Sequence, residues 1–387
     1  MKKILIVAPY STIPSSHASG RFIYIAEQLS GNSDVTLITS NFCHRTKKHR
    51  EEDVSHLPFN LVLLEETGYE KNVSVKRLKS ISVFCENLKQ WLYSNDNKYD
   101  VIYSAYPLIK SNIVLLRYAS KTDTKFIVDV QDVWPESFSS VHRFLDLIPD
   151  RLFPFFWRAN QVYSSADAII AVSKTYLNRA VSVNKKSVQN RTVYLGSDWQ
   201  KISNAKELGN IVANNCLNVI YVGTLSYSYD VRTVVNAINI INKKRHMVNM
   251  HILSAKNTHQ YKEIESIAGN GVYFHGLKKA SEMYSYLKSC DVAVNAISKG
   301  AKQSVTNKLS DFLSVGLPVL NSQTNEEVLE LLKQNDSINY IAENVESCVK
   351  AIEKYIELKK NGKLTKRPNS SFDRSEAYKA IYDIILN

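Results

Sequence analysis

Asn218-Val219-Ile220-Tyr221-Val222-Gly223-Thr224-Leu225-Ser226-Tyr227-Ser228-Tyr229-Asp230 is a β-rich apolar run that breaks at a glycine and passes through polar residues into a helical segment. A short run of this kind reads as a strand buried in a parallel sheet. Similar runs follow at 248–253, 271–274, 291–295 and 317–321, with helical spacing between them. An earlier series occupies 3–8, 34–38, 60–64, 100–104, 125–130, 168–172 and 191–194. Two series of alternating strands and helices predict an α/β protein with two Rossmann-like domains, each a parallel sheet covered by helices. The stretch 196–217 between them is polar and aperiodic. The expected division is therefore 1–198, a linker at 199–217, a second domain at 218–365, and a closing helix in 366–387 through Phe372, Tyr378, Ile381, Tyr382 and Ile385. Ligands of open parallel sheets sit beyond the carboxyl ends of the strands, so two such domains facing one another could hold a substrate from each side.

Composition narrows the function. The 387 residues suit two domains of about 150–200 residues each. No apolar run approaches the roughly 20 residues that span a bilayer, and the opening Ile4–Ala8 run stops too soon, at Pro9, for a signal peptide. The five cysteines, at 43, 85, 216, 290 and 348, form no Cys-x-x-Cys pair, which fits a reducing cytoplasm. The net charge of +12 calls for acidic partners. Because it is shared evenly by 1–198 and 199–387, no basic arm for nucleic acid stands out.

Four stretches carry candidate chemistry. Ser15-Ser16-His17-Ala18-Ser19-Gly20-Arg21 follows the first strand and opens a helix; Gly20 allows close backbone approach and Arg21 adds charge for a phosphate, although a polar loop capping a helix would read the same way. Asp132-Val133-Trp134-Pro135-Glu136-Ser137 leaves a strand at its carboxyl end. There carboxylates can orient sugar hydroxyls and Trp134 can offer a flat face to a ring, or Trp134 can pack in the core. Gly223 and Thr224 again follow a strand, without the Gly-x-Gly-x-x-Gly spacing of a dinucleotide site, and Asp230 reads as an N-cap. Finally, polar residues from Ser298 through Lys302, Gln303, Ser304, Val305 and Thr306 precede a helix starting near Asn307. Asp311 falls one turn after Lys308, and Gly316-Leu317-Pro318 ends the helix. A helix start with lysines suits a diphosphate, and a carboxylate one turn on suits a ribose diol.

The run Asn307-Lys308-Leu309-Ser310-Asp311-Phe312-Leu313-Ser314-Val315-Gly316-Leu317-Pro318-Val319 resembles the donor-binding signature of the retaining GT-B glycosyltransferases of family four. Trp134-Pro135-Glu136-Ser137 is similar to a segment of members that build capsules and O-antigens. Ala166–Ser173, Gly196-Ser197-Asp198, Gly223-Thr224-Leu225 and Phe274-His275-Gly276 match further landmarks in the family's order. The resemblance implies a GT-B fold whose C-terminal helix returns to the N-terminal domain. It also implies sugar transfer from a nucleotide-diphosphate sugar with retention of configuration and no metal or other cofactor.

Carried over residue by residue, the resemblance makes Asp311 the ribose ligand, while Lys308, with Lys302 or Arg21, is the candidate substitute for the family's diphosphate cations. Gly20, Arg21, Gly223, Thr224, His275, Gly276, Leu277, Ser304, Val305, Thr306 and Asn307 complete the donor site. Lys308 and Asp132 are the candidate catalytic residues, and Trp134 and Glu136 the acceptor ligands. Gln303 stands where the family has its first motif Glu, and Ser226, Tyr227 and Tyr229 stand where many members have Arg and Lys. The implied partners are a nucleotide sugar and a saccharide or lipid-linked saccharide acceptor, with no nucleic acid. The mixed apolar and basic segment 143–158 and the cluster Arg45, Lys47, Lys48 and Arg50 could touch the cytoplasmic face of the inner membrane. A nucleotide-sugar epimerase of the same fold and an inactive nucleotide-sugar-binding subunit are the alternative readings.

Overall fold

The structure, a computed structural model, describes residues 1–12, 20–51, 56–71, 74–94, 98–136, 155–186, 189–209, 215–256, 258–301 and 303–387. Ser15, Ser16, His17, Ala18, Ser19, Ser137, Lys302 and the stretch 143–154, all singled out above, lie outside the described residues. The chain divides into two compact units, Met1–Val193 with Tyr378–Asn387, and Tyr194–Ala377.

The first unit runs β1 (Lys2–Val7), α1 (Arg21–Leu29), β2 (Ser33–Ser40), β3 (Phe42–Cys43), β4 (Lys48–His49), β5 (Asn60–Leu64), α2 (Val75–Ser94), β6 (Val101–Tyr106), α3 (Ile109–Thr122), β7 (Lys125–Val130), α4 (Phe156–Ser165), β8 (Ala168–Ala171), α5 (Lys174–Val181) and β9 (Gln189–Thr192). Its seven-stranded sheet has the order β5-β2-β1-β6-β7-β8-β9, every pairing parallel. Leu5, Val7, Ile102, Phe126 and Val128 of the strands bury against Phe84, Leu88, Leu115 and Val162 of the helices.

The second unit runs α6 (Trp199–Asn204), β10 (Leu217–Val222), α7 (Val231–Lys244), β11 (Val248–Leu253), α8 (His259–Ile267), β12 (Val272–Phe274), α9 (Ala280–Ser289), β13 (Val292–Asn295), α10 (Asn307–Val315), β14 (Val319–Asn321), α11 (Glu326–Leu332), β15 (Ile338–Asn339), α12 (Val345–Lys360) and α13 (Arg374–Ala377). Its sheet order is β12-β11-β10-β13-β14-β15, again all parallel. Alternate residues of a strand face opposite sides. Val219 and Tyr221 thus join Val234, Ile238, Ile352 and Tyr355 in one core, while Ile220 joins Leu287, Leu309 and Phe312 in another. The last helix, α14 (Lys379–Leu386), belongs to the first unit.

Each strand expected from the apolar runs is present. The β3–β4 hairpin and β15 were not foreseen, since two-residue strands leave no readable run. The stretch read as a linker also differs. It holds α6, whose N-cap Asp198 accepts from the Lys201 amide, and Lys288 of α9 donates to the carbonyls of Ile202 (3.4 Å) and Ala205 (2.7 Å). A cap, a lysine bridge and one apolar side chain, Ile202, packed on the core hold that helix, so its composition looked like a loop. Among the described residues no helix is long and apolar enough to cross a membrane.

Candidate functional site

In each sheet the strand order reverses beside its first strand, and ligands of such sheets bind beyond the carboxyl ends at that reversal. In the second unit these ends belong to β10 and β13. After β10 the chain turns at Gly223 with φ 128°, a conformation that side chains other than hydrogen rarely adopt. A Cβ placed on Gly223 would lie 3.9 Å from Lys308 Cδ and 3.9 Å from the Tyr221 hydroxyl, so these residues share one spot. Helix α10 starts beside them, capped by the Thr306 side chain, which accepts from the Leu309 amide.

Lys308 is 9% exposed and its Nζ finds no hydrogen-bond partner among the described residues. The ammonium lies 3.4 Å from the centroid of the Tyr229 ring and 4.9 Å from that of Tyr221. Burial pulls its pKa from the ordinary 10.5 down to about 7. Ser304 Oγ, Gln303 Oε1 and Asn295 Oδ1 are likewise buried with no partner among the described residues. Each such atom costs about 1–3 kcal/mol unless something fills it, so a cluster of them points to a polar ligand. An amide network fixes the loop that carries them. Gln323 Nε2 donates to the carbonyls of Gln303 (2.5 Å) and Ser304 (3.2 Å), while Asn295 Nδ2 donates to Gln323 Oε1 (3.0 Å) and Asn321 Oδ1 (2.8 Å). Val305 packs into the core and Asn307 is exposed.

Asp311 Oδ1 accepts from Ser197 Oγ (2.6 Å) and from the Tyr284 hydroxyl (2.9 Å). Burial raises its carboxyl pKa, and the two hydroxyl donors and Arg374 oppose the rise. Ser197 is itself fixed, its amide donating to Phe372 O at 2.8 Å beside Gly196 at φ 63°. Farther along the sheet, His275 shares one hydrogen bond with His251 (3.0 Å) and another with the Tyr286 hydroxyl (3.2 Å). Burial lowers both histidine pKa values, that of His251 to about 4, so the pair is neutral at pH 7. Gly276 turns with φ 71° and Leu277 is 73% exposed. Thr224 is exposed, and its carbonyl accepts from the Tyr221 hydroxyl at 2.9 Å.

The other expected residues belong to the first unit. Arg21 does not lie open to a phosphate. Its Nε donates to the buried Asp129 at 2.7 Å, its Nη1 to Val193 O at 3.2 Å, and its guanidinium rests 4.7 Å over the Tyr378 ring. Asp129 also accepts from Tyr103 and Gln131, and the carboxylate raises the Arg21 pKa against its burial. A buried guanidinium needs such a partner, which is why this cation turns inward. Gly20 precedes α1 under Thr12, whose Oγ1 would lie 2.6 Å from a Cβ there. Asp132 Oδ1 accepts from the Val133 amide at 2.8 Å. Trp134 packs partly against the core, 5.6 Å from Phe155, and its carbonyl accepts from Tyr106. Glu136, expected to meet an acceptor, is ion-paired with Arg179, which also donates to Asn160 Oδ1.

Sequence reasoning missed Tyr221, Tyr284, Tyr286, His251, Asn295 and Gln323. His251 and Asn295 left a signal, as polar residues inside buried strands. The tyrosines left none, because they count as apolar in any helical or strand pattern.

Residues 217–357, which contain every expected donor-side residue of the second unit, match a family model described as glycosyl transferases group 1. No curated protein matches the chain. The chain is similar to the solved structure of sucrose-phosphate synthase from Thermosynechococcus elongatus, with a TM-score of 0.68 at 15% identity, covering 100% of this chain and 95% of that one. It is also similar to the lipopolysaccharide outer core galactosyltransferase WaaB in its apo form (TM-score 0.60, 13% identity, 100% and 96% covered). A third likeness is to UDP-GlcNAc 2-epimerase from Neisseria meningitidis bound to UDP-GlcNAc (TM-score 0.61, 12% identity, 100% and 100% covered). At these identities the likeness shows the fold alone. The fold is GT-B, two Rossmann-like units with parallel sheets, and residues 217–357 of the second unit are similar to the glycosyl transferases group 1 family.

Proposed function

We propose that the chain is a retaining, metal-independent glycosyltransferase. It would move a hexosyl or N-acetylhexosaminyl group from a nucleotide-diphosphate sugar to a saccharide acceptor, lipid-linked in the assembly of a bacterial capsule, O-antigen or lipopolysaccharide. The observation that carries this reading is the buried Lys308 ammonium, unpartnered among the described residues, beside Gly223 and the start of α10. Breaking the bond between anomeric carbon and phosphate sends negative charge onto the leaving diphosphate. Lys308 and the amides around Ser304–Asn307 would stabilise that charge. Front-face attack retains the configuration, with the leaving phosphate oxygen taking the acceptor's proton. In this reading Asp311 holds the ribose, His275, Gly276 and Leu277 border the nucleotide, Asp132 joins Lys308 in catalysis, and Trp134 and Glu136 serve the acceptor. With Arg21 committed to Asp129, the phosphate charge falls to Lys308.

The reading extends to peripheral contact with the cytoplasmic face of the inner membrane. Trp157, 69% exposed at the described end of the 143–158 segment, supports it. Arg50 does not, since it donates to Ser40 O and Ser11 O within its own unit.

The test is transfer from a panel of nucleotide sugars to saccharide acceptors with a chelator present. Lys308→Ala is expected to lower the rate by about 100-fold or more, the scale of losing one transition-state donor, and Asp311→Ala to weaken donor binding and so transfer. Unchanged transfer in both variants removes the site assignment. The likeness to a UDP-GlcNAc 2-epimerase motivates a second reading, which the same panel without acceptor decides, because only an epimerase forms a new nucleotide sugar. Binding without turnover in either assay would indicate an inactive nucleotide-sugar-binding subunit.

A further inference from the structure

We infer that Tyr229 and Tyr221 form an aromatic box that positions the Lys308 ammonium for the donor's diphosphate, and that each nucleotide sugar consequently binds together with one proton. This rests on the reading of the second unit as a nucleotide-sugar site. Tyr229 is a positioning residue here, acting on the ligand through Lys308.

An ammonium removed from water needs an anion or several acceptors. Lys308 has neither among the described residues. What it has is the negative faces of two rings, 3.4 Å and 4.9 Å from Nζ, which attract a cation less strongly than a carboxylate does. Among the described residues no carboxylate pairs with it, and burial alone shifts its pKa. On α10 itself, Asp311 faces Ser197 and Tyr284. In the segment after β10, Asp230 accepts from Thr233 Oγ1 (2.6 Å) and the Glu343 amide (2.7 Å). Among the described residues, Glu343 accepts from the Lys299 amide (3.2 Å), and His251 and His275 are held neutral and bring no charge near pH 7.

The amine therefore loses its proton near pH 7, through burial alone. The two negative charges of an incoming diphosphate favour the charged form and push the amine pKa back up. Below pH 7 the proton is already present and binding takes up none. Above it, binding draws a proton from solution, and affinity falls by up to tenfold per pH unit.

Titration calorimetry tests this with whichever of UDP-glucose, UDP-N-acetylglucosamine and GDP-mannose raises the melting temperature most, in buffers of different ionisation enthalpy at about pH 6 and about pH 8. These sugars carry no phosphate that titrates near neutrality, so any uptake belongs to the protein. The expected result is uptake near zero at the lower pH and close to one proton at the higher. Tyr229→Phe should preserve the profile, and Tyr229→Leu should weaken binding by roughly tenfold even at the lower pH. Lys308→Arg, permanently charged, should bind without uptake. Binding with no uptake at about pH 8, or uptake that persists in Lys308→Arg, overturns the inference and leaves the donor site standing. Failure of every nucleotide sugar to bind removes the donor site, and the inference with it. If Tyr229→Leu does not fold, the profile of the unaltered chain decides.

Discussion

Two cations expected to share one task end in opposite situations. Arg21 is buried against Asp129 and holds α1 to β7, whereas Lys308 is buried against two rings. A paired buried charge serves the fold, and one left without an anion weakens it. The sign for Lys308 follows from its pKa, about 7 in the folded chain against the ordinary 10.5. Between these values the unfolded chain binds a proton that the folded one has released. The stability contributed at this position therefore falls as pH drops from above 10 toward 7, and is constant below 7. Lys308→Met should accordingly raise the melting temperature at pH 7, by the equivalent of about 1–4 kcal/mol, while abolishing nucleotide-sugar binding. The gain should shrink toward pH 10. Thermal denaturation at the two pH values checks this, and a less stable variant at pH 7 would contradict it.

At the scale of the element, α10 is the part of the second unit that must be placed most closely, and both its ends are specified. Thr306 caps the start, and Gly316 ends the helix at φ 83° with the Leu317 amide reaching back to Phe312 O. Gly316 is also where the segment before α13 comes nearest. The Arg367 amide donates to Gly316 O at 2.8 Å, and a Cβ on Gly316 would sit 2.4 Å from Pro368 N. Conformational strain and contact with backbone act together there. Gly316→Ala should cost more than about 2 kcal/mol in denaturant unfolding. Thr306→Ala, which removes a single cap, should cost about 1 kcal/mol. Equal costs for the two would mean that the segment at 367–368 yields more easily than its hydrogen bonds imply.

At the scale of the molecule, the end of the chain completes the first unit. Tyr378, Ile381 and Ile385 are fully buried, Lys125 Nζ donates to Ile384 O at 2.7 Å, and Lys2 Nζ donates to Leu386 O at 2.6 Å. Burying one isoleucine side chain contributes about 1.5–3 kcal/mol, so deletion of 379–387 should lower the melting transition of the first unit by several degrees. The transition of the second unit should stay in place, which differential scanning calorimetry resolves. The sequence by itself determined the α/β class, the repeated strand series and the stretch after 298 as the candidate donor loop. Strands buried on both faces leave contiguous apolar runs, and the glycine, cap and helix start that suit a phosphate are local features. Only the tertiary structure decided that Arg21 meets Asp129, that Glu136 meets Arg179, that 199–204 is a helix packed on α9, and that Lys308 meets two rings and, among the described residues, no carboxylate. Each of these is a contact between positions far apart in the chain, and local pattern cannot encode whether a buried charge will find its counter-charge.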